Sequence, residues 1–166
     1  MIKLKKSLRA LTFGAVVAAL YAVLTIAFGF MSYGPVQFRI SEALTILPFF
    51  SPVSVAGLTV GCLLANIFSP ISWLDMVVGT GATLIGAAGT LFCRNKNLWY
   101  LAPLPPIISN TVIIGLLLTW QELNSFESGA FFFNAATIFI GEAVCCYGLG
   151  LPLLFLIRNK LTKYVI

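Results

Sequence analysis

The sequence predicts an all-helical, polytopic membrane protein: one domain over residues 1–166, with six transmembrane helices and cytoplasmic N- and C-termini. Only 9% of its 166 residues are charged, 60% are hydrophobic, and the mean hydropathy is +1.02. A soluble domain carries about 25% charged residues. Stretches without any charge are about as long as, or longer than, the roughly 20 apolar residues that span a bilayer core. They cover 10–38, 43–74, 76–93 and 97–121, and a further stretch, 128–157, contains one carboxylate.

Proline, glycine and serine residues set the predicted helix boundaries. The first helix ends at a Ser-Tyr-Gly-Pro turn, and Pro48 and Pro52 divide the long stretch after Glu42 into a short and a longer helix. A Ser-Pro-Ile-Ser turn precedes the fourth helix, and Pro152 predicts a kink in the sixth. The six helices are expected at about 7–31, 40–50, 53–68, 74–92, 98–120 and 130–158.

The distribution of basic residues supports this count. Six spans place both ends of the chain on one side of the membrane, and cytoplasmic segments carry an excess of Lys and Arg. With the termini inside, nine of the ten basic residues lie in inner segments, and only Arg39 lies outside. A five-helix arrangement would lose this asymmetry.

Several function classes are excluded by residues that the sequence lacks. Without histidine, the chain has no His-based metal site, no Ser-His-Asp triad and no His proton relay. It contains no phosphate loop of the Gly-x-x-x-x-Gly-Lys-Ser/Thr type for ATP hydrolysis. Its four cysteines lack metal-ligand spacing and are interpreted as small, reduced helix residues. Topology and anionic lipid explain the basic residues better than nucleic acid does. We therefore predict no enzyme activity, no cofactor and no metal.

Polar residues within the apolar segments are the candidate binding residues, because such residues are costly in lipid. Glu142 lies near the middle of the sixth helix, so its carboxyl group must be protonated, paired or facing a polar cavity. Asn66 and Asn110 each place an amide in apolar surroundings, where it could read the edge of a flat heterocycle. The alternative for all three residues is a structural hydrogen bond between helices.

A second group of candidates lies at the predicted outer side. Arg39 and Glu42 are three residues apart and could pair on one helix face. An exposed pair would contribute less than about 1 kcal/mol, but this pair adjoins an apolar segment, which favours a binding site. Trp73 lies beside Asp75 at the outer mouth and could stack on a planar ligand or cover it, although such aromatic residues are usually belt residues. Tyr147 is a further aromatic candidate.

Small residues recur every four positions along the first helix, among them Gly14, Ala15, Ala18 and Ala19. This spacing allows another helix to approach closely. The spacing does not distinguish a helix of this chain from a helix of a partner protein.

The segment at 36–50, Val-Gln-Phe-Arg-Ile-Ser-Glu-Ala-Leu-Thr-Ile-Leu-Pro-Phe-Phe, resembles the signature of the QueT family. These proteins are proposed transporters of queuosine precursors and are substrate-binding (S) components of energy-coupling factor (ECF) transporters. The resemblance covers nearly the whole chain: its length, six helices, inside termini, and the Ala15-x-x-x-Ala19 motif in the first helix.

The resemblance implies a capture protein in a prokaryotic cell membrane, energised by a separate module of one transmembrane scaffold protein and two ATPases. Ala15 and Ala19 would contact the scaffold. The implied cargo is 7-aminomethyl-7-deazaguanine or its nitrile relative. A carboxylate can accept two N–H groups from a guanine-like edge, and a second carboxylate would favour the aminomethyl cation. Glu42 and Glu142 are candidates for these roles in either order, and Arg39 could orient Glu42.

Other functions remain open on the sequence. A stand-alone carrier could couple transport to protons through Glu142, and an S component could carry another small heterocyclic vitamin. A membrane-embedded enzyme is disfavoured because no nucleophile–base pair or metal cluster is visible in the sequence. A structural subunit of a larger complex would bind no small molecule.

Overall fold

Six helices follow one another in the computed structural model, which describes residues 2–32, 38–69, 73–123, 125 and 127–161. We label them α1 (Ile2–Ala27), α2 (Ile40–Phe49), α3 (Val53–Ile67), α4 (Trp73–Asn95), α5 (Leu104–Leu123) and α6 (128–161). Within α6, α-helical Ser128–Ala143 and Leu151–Leu156 alternate with π-helical Val144–Gly150 and Ile157–Leu161. Single helical turns at Gly29–Ser32 and Trp99–Leu101 complete the described elements.

The all-helical prediction is confirmed, and each predicted helix has a counterpart. The largest differences are at three helix ends. α1 begins at Ile2, five residues earlier than predicted. α1 stops at Ala27, four residues early, and the chain resumes as a separate turn. α5 begins at Leu104, since a 3-10 turn occupies the predicted first residues and Pro105 and Pro106 are tolerated in a first helical turn. The residues at 33–37 and 70–72, which contain two predicted turns and Gln37, lie outside the described residues.

Within the described residues, four helical regions are long and apolar enough to cross a membrane: Ser7–Ala27, Trp73–Asn95, Trp99–Leu123 and Ser128–Asn159. α2 and α3 are apolar but shorter, at 10 and 15 residues. The structure therefore supports a multi-pass protein, while the count of six spans stays a prediction. Pro152, where the sequence predicted a kink, follows the first π-helical stretch of α6 by two residues.

α2 is a 3-10 helix, and its length is unusual because such helices rarely exceed three or four residues. Pro48 has no N–H to donate within it, and the hydroxyl of Thr45 donates to the carbonyl oxygen of Glu42 at 2.6 Å. The helix buries both Ser41 and Glu42 completely. A tightly wound, mostly buried segment thus places a carboxyl group inside the bundle.

Glycines allow two pairs of helices to pack with their backbones close together. A methyl group at Gly61 of α3 would lie 2.7 Å from the carbonyl oxygen of Ala18, and one at Gly57 would lie 2.6 Å from that of Gly14. Between α4 and α5, a methyl group at Gly86 would lie 2.6 Å from the Cα atom of Pro106. No larger residue fits at these positions without separating the helices.

The bundle exposes many large apolar side chains and buries polar residues alongside an apolar core, as expected for a protein whose solvent is lipid. Large apolar side chains such as Leu11, Val77 and Phe132 are exposed. Among the described residues, the buried polar and charged ones are Thr25, Ser32, Arg39, Ser41, Glu42, Thr45, Ser54, Asn66, Asp75, Thr83, Thr90, Ser109, Asn110, Thr119, Asn134 and Glu142. An apolar core formed by residues such as Val17, Ile46, Leu58 and Leu154 holds α1, α2, α3 and α6 together.

Candidate functional site

Buried ionisable groups from four parts of the chain face the interior of the bundle. Arg39 precedes α2, Glu42 lies in its first turn, Asp75 lies in the first turn of α4, and Glu142 lies in α6. Their exposures are 3%, 0%, 1% and 4%. Charged side chains are almost never buried without partners, so the partners of each group define what the site can still bind.

The carboxyl group of Glu42 is only half satisfied. Its Oε1 accepts a hydrogen bond from the hydroxyl of Tyr21 on α1, whose side chain is also completely buried. Its Oε2 is buried and has no hydrogen-bond partner among the described residues. An unpartnered buried carboxylate oxygen is costly, and it is an acceptor that a ligand can use.

Glu142 is held by its neighbours on α5 and α6. The amide nitrogen Nδ2 of Asn110 donates to its Oε1 at 2.8 Å, and the Sγ atom of Cys146 lies 3.5 Å from its Oε2. The same Sγ atom lies 3.7 Å from the carbonyl oxygen of Glu42. One carboxylate oxygen from each of Glu42 and Glu142 and this sulfur all lie within 4.8 Å of one another. Two carboxyl groups and a thiol at this distance form a grouping that could hold a cation.

Arg39 and Asp75 form the ion pair of the site, with 3.5 Å between Nη2 and Oδ2. Ser69 donates its hydroxyl to the same Oδ2 at 2.8 Å, and Asn66 donates to the carbonyl oxygen of Asp75 at 3.1 Å. The expected pairing of Arg39 with Glu42 is not the ion pair seen among the described residues. Glu42 binds Tyr21 instead, because α2 directs its carboxyl group toward α1.

The Oδ1 atoms of Asp75 and Asn66 have no hydrogen-bond partner among the described residues. Both side chains lie next to Gly79, where a methyl group would be 2.8 Å from Nδ2 of Asn66 and 3.0 Å from Oδ1 of Asp75. The absence of a side chain at this position leaves the two groups room. This part of the site therefore offers two buried acceptors beside the ion pair.

The cluster contains more acidic than basic side chains. Three carboxyl groups, those of Glu42, Asp75 and Glu142, face the single guanidinium group of Arg39, which pairs with Asp75. Buried charges need a partner of opposite sign or a proton. The arrangement is consequently suited to a ligand that brings N–H donors or a positive charge.

Six of the eight proposed binding residues are buried, and hydrogen bonds join five of them into two groups. The sixth, Glu42, binds Tyr21. Asn110 contacts Glu142, and Asn66 and Arg39 contact Asp75. The two aromatic candidates do not join either group. Trp73 is 72% exposed at the start of α4. The hydroxyl of Tyr147 faces the carbonyl oxygen of Tyr100 at 3.4 Å, near the single turn before α5.

Comparison with known proteins identifies the family of the chain. The sequence profile of the QueT transporter family matches residues 11–159 of the 166. The chain belongs to the QueT transporter family. A relative from Lactococcus lactis subsp. cremoris (strain MG1363), named Queuosine precursor transporter QueT, is 34% identical over 144 residues. That alignment covers 73% of this chain and 85% of the relative. No solved structure matches the chain.

Membership of the QueT transporter family confirms two predictions from the sequence. The chain is a transporter and not an enzyme. It is also a multi-pass membrane protein, in agreement with its four helical regions of membrane-spanning length and with its prokaryotic relative. The buried acidic cluster therefore lies inside a transporter, where a polar site within the bundle is expected to face cargo.

Several polar residues near the acidic cluster of this QueT family member were not predicted from the sequence. Tyr21 was not singled out, although a lone tyrosine in the middle of a first helix rich in small residues was a visible signal. Cys146 was interpreted only as a small helix residue, yet its Sγ atom lies between two carboxyl-bearing residues. Thr25 and Ser41 share a hydrogen bond of 2.6 Å, and single hydroxyls of this kind gave no distinctive pattern.

The small residues of α1 are divided between two faces. Gly14 and Ala18 lie against Gly57 and Gly61 of α3, so this face serves packing within the chain. Ala15 and Ala19 are exposed. Ala15 also lines an apolar groove of about 290 Å³ between α1 and α3. The sequence spacing left open whether the small residues contact a helix of this chain or one of a partner. Gly14 and Ala18 make a contact within the chain, whereas Ala15 and Ala19 lie on a free surface.

Proposed function

We propose that this chain is the capture component of an ECF transporter. It binds a queuosine precursor, 7-aminomethyl-7-deazaguanine or its nitrile relative, from outside the cell and passes it to a separate ATP-driven module. The observation that carries the proposal is the buried cluster in which Glu42, Asp75 and Asn66 each keep an unpartnered acceptor oxygen. Family membership and the name of the relative support the choice of cargo.

The chemistry of the cargo fits these acceptors. A deazaguanine ring presents adjacent N–H donors, which a carboxylate accepts in a two-pronged hydrogen bond, and the aminomethyl form adds a cation. Glu42 and Glu142 supply the carboxylates, and Asn66 and Asn110 read the carbonyl group and the ring nitrogens. Arg39 holds Asp75 in place. Two aromatic residues are proposed at the edges of the site, where they would stack on or cover the ring: Trp73 and Tyr147.

We propose six spans with both termini in the cytoplasm. Arg94 and Lys96 then lie at the inner end of α4 and Asp75 at its outer end, as the excess of cations inside requires. Arg39 lies close to Asp75, so the cluster is nearer to the outer surface. This orientation suits capture of cargo from outside.

Calorimetric titration of the detergent-purified chain with 7-aminomethyl-7-deazaguanine tests the cargo. We expect tight binding without any ATPase present, and no binding of guanine at the same concentration, because guanine lacks the 7-substituent. The nitrile relative is titrated in parallel. A folded, monodisperse sample that binds neither deazaguanine would disprove the proposed cargo.

The proposed docking of the module uses the exposed face of α1. Ala15 and Ala19 are exposed there, while Gly14 and Ala18 of the neighbouring face are occupied by α3. The double substitution Ala15→Trp/Ala19→Trp is expected to abolish ATP-dependent uptake and co-purification of the scaffold, because the bulky rings block close helix approach. Cargo affinity is expected to change less than about threefold, since neither residue contacts the acidic cluster.

Ala136→Trp is the matched control, because Ala136 is also an exposed alanine on a helix surface, on α6. It is expected to leave uptake and co-purification intact. Normal uptake by the double variant would contradict the docking surface. Uptake that survives loss of the ATPases but collapses with the proton gradient would contradict the ATP-driven mechanism and favour a proton-coupled carrier.

A further inference from the structure

Glu42 and Glu142 form a close pair of buried carboxyl groups. A carboxylate oxygen of each lies within 4.8 Å of the other, and neither side chain is more than 4% exposed. Like charges this close in a buried site do not both ionise unless a cation lies between them. The charge state of the pair therefore depends on what occupies the space between the two groups.

Among the described residues, the groups around the pair include one cation, and it already forms an ion pair with another carboxylate. The titratable and charged residues that face it are Tyr21 on α1, Arg39 before α2, Cys62 on α3, and Cys145 and Cys146 on α6. From α5 the neutral amide of Asn110 donates to Glu142. Arg39 is the cation among them, and it forms an ion pair with Asp75. A second, independent feature points to a ligand: Oε2 of the buried Glu42 has no hydrogen-bond partner among the described residues.

We propose that Glu42 and Glu142 share one proton in the protein without cargo, and that the ammonium group of the cargo replaces this proton on binding. The inference rests on the proposed function and narrows its cargo to the cationic aminomethyl form. Both carboxylates then bind the ammonium group, and this changes one assignment of the proposed function. The unpartnered Oδ1 atoms of Asp75 and Asn66, and not Glu42 or Glu142, accept the N–H edge of the ring.

The exchange conserves charge inside the membrane. The pair carries one negative charge while it shares the proton, and the pair with a bound ammonium ion also carries one negative charge. The displaced proton leaves to solvent. The nitrile relative brings no positive charge, so it releases no proton and leaves the shared proton in place. The protein thereby distinguishes two precursors that have the same ring.

Calorimetry in two buffers with different ionisation enthalpies, phosphate and Tris, measures the protons released per cargo bound. EDTA is present throughout, so that no metal ion takes the place of the proton. For the aminomethyl form we expect about one proton released, and an affinity that rises by up to about tenfold per pH unit between pH 6 and 8. For the nitrile form we expect no proton released and an affinity at least about tenfold lower at pH 8.

The variant Glu42→Gln tests whether the proton released on binding is the one that the two carboxyl groups share. One carboxylate remains in this variant and needs no shared proton, so proton release on binding the aminomethyl form is expected to fall to about zero. Equal affinity for the two precursors, or binding of the aminomethyl form without proton release by the unmodified protein, would overturn the inference while the proposed function stands. If neither precursor binds, the proposed function fails as well.

Discussion

Replacing Glu142 by glutamine is expected to weaken binding of 7-aminomethyl-7-deazaguanine by about 10- to 100-fold, the range for loss of a hydrogen bond to a charged group. The substitution keeps the shape of the side chain and an acceptor for Nδ2 of Asn110, so the helix contact survives. It removes a negative charge and turns an N–H group toward the ammonium ion. Calorimetric titration of the purified variant measures the loss.

Glu127→Gln is the matched control. Glu127 is an exposed carboxylate just before α6, in the same part of the chain but outside the cluster. We expect this variant to bind like the unmodified protein. If Glu142→Gln also bound with unchanged affinity while remaining folded, Glu142 would have only a structural role, and the acidic cluster would not be the cargo site.

Replacing Arg39 by methionine is expected to cause the largest loss of stability, about 3–5 kcal/mol, because it leaves a buried carboxylate without its partner. Arg39 and Asp75 are 3% and 1% exposed, so solvent does not screen the pair. The free energy of unfolding is measured by denaturant titration of the protein in detergent micelles. Arg9→Met, at an exposed arginine of α1, is expected to change it by less than about 0.5 kcal/mol.

The double variant Arg39→Met/Asp75→Asn tests the cause of that loss. Asparagine keeps an oxygen acceptor for the hydroxyl of Ser69 but carries no charge. The double variant is therefore expected to be more stable than Arg39→Met alone, with a coupling energy above about 1 kcal/mol in the mutant cycle. If the effects of the two substitutions on the free energy of unfolding were additive, the ion pair with Asp75 would not explain the loss of stability in Arg39→Met.

The sequence was sufficient to predict the helices and the positions of the buried acids. Absence of charge over spans of bilayer length identifies membrane helices regardless of how they pack, and Glu142 is conspicuous as the one charge within 128–157. For the same reason, the polar residues Asn66 and Asn110 were found as candidates before their partners were known. Each of them is buried in the bundle.

Pairing between distant positions could not be predicted in this way. Arg39 contacts Asp75, which is 36 residues away, because α2 and α4 meet in space, whereas the sequence spacing pointed to Glu42. Tyr21 reaches Glu42 across the contact between α1 and α2, and glycines in α3 let α1 pack closely in the bundle. The periodicity of a single helix cannot predict these contacts, since they depend on how the helices pack. The π-helical stretches of α6 were also missed, because they gave no periodic signal in the sequence.

The shortness of α3 has a consequence for the surrounding lipid. At about 1.5 Å per residue, its 15 residues span about 22 Å, less than the roughly 30 Å of a bilayer's hydrocarbon core. Its outward side chains, such as Val60, Leu63 and Ile67, are nevertheless apolar and exposed. In the proposed six-span arrangement, this hydrophobic mismatch would thin the bilayer locally beside α1 and α3. The face with the exposed alanines of α1 would then border deformed lipid, and a partner helix docking there would relieve part of that strain.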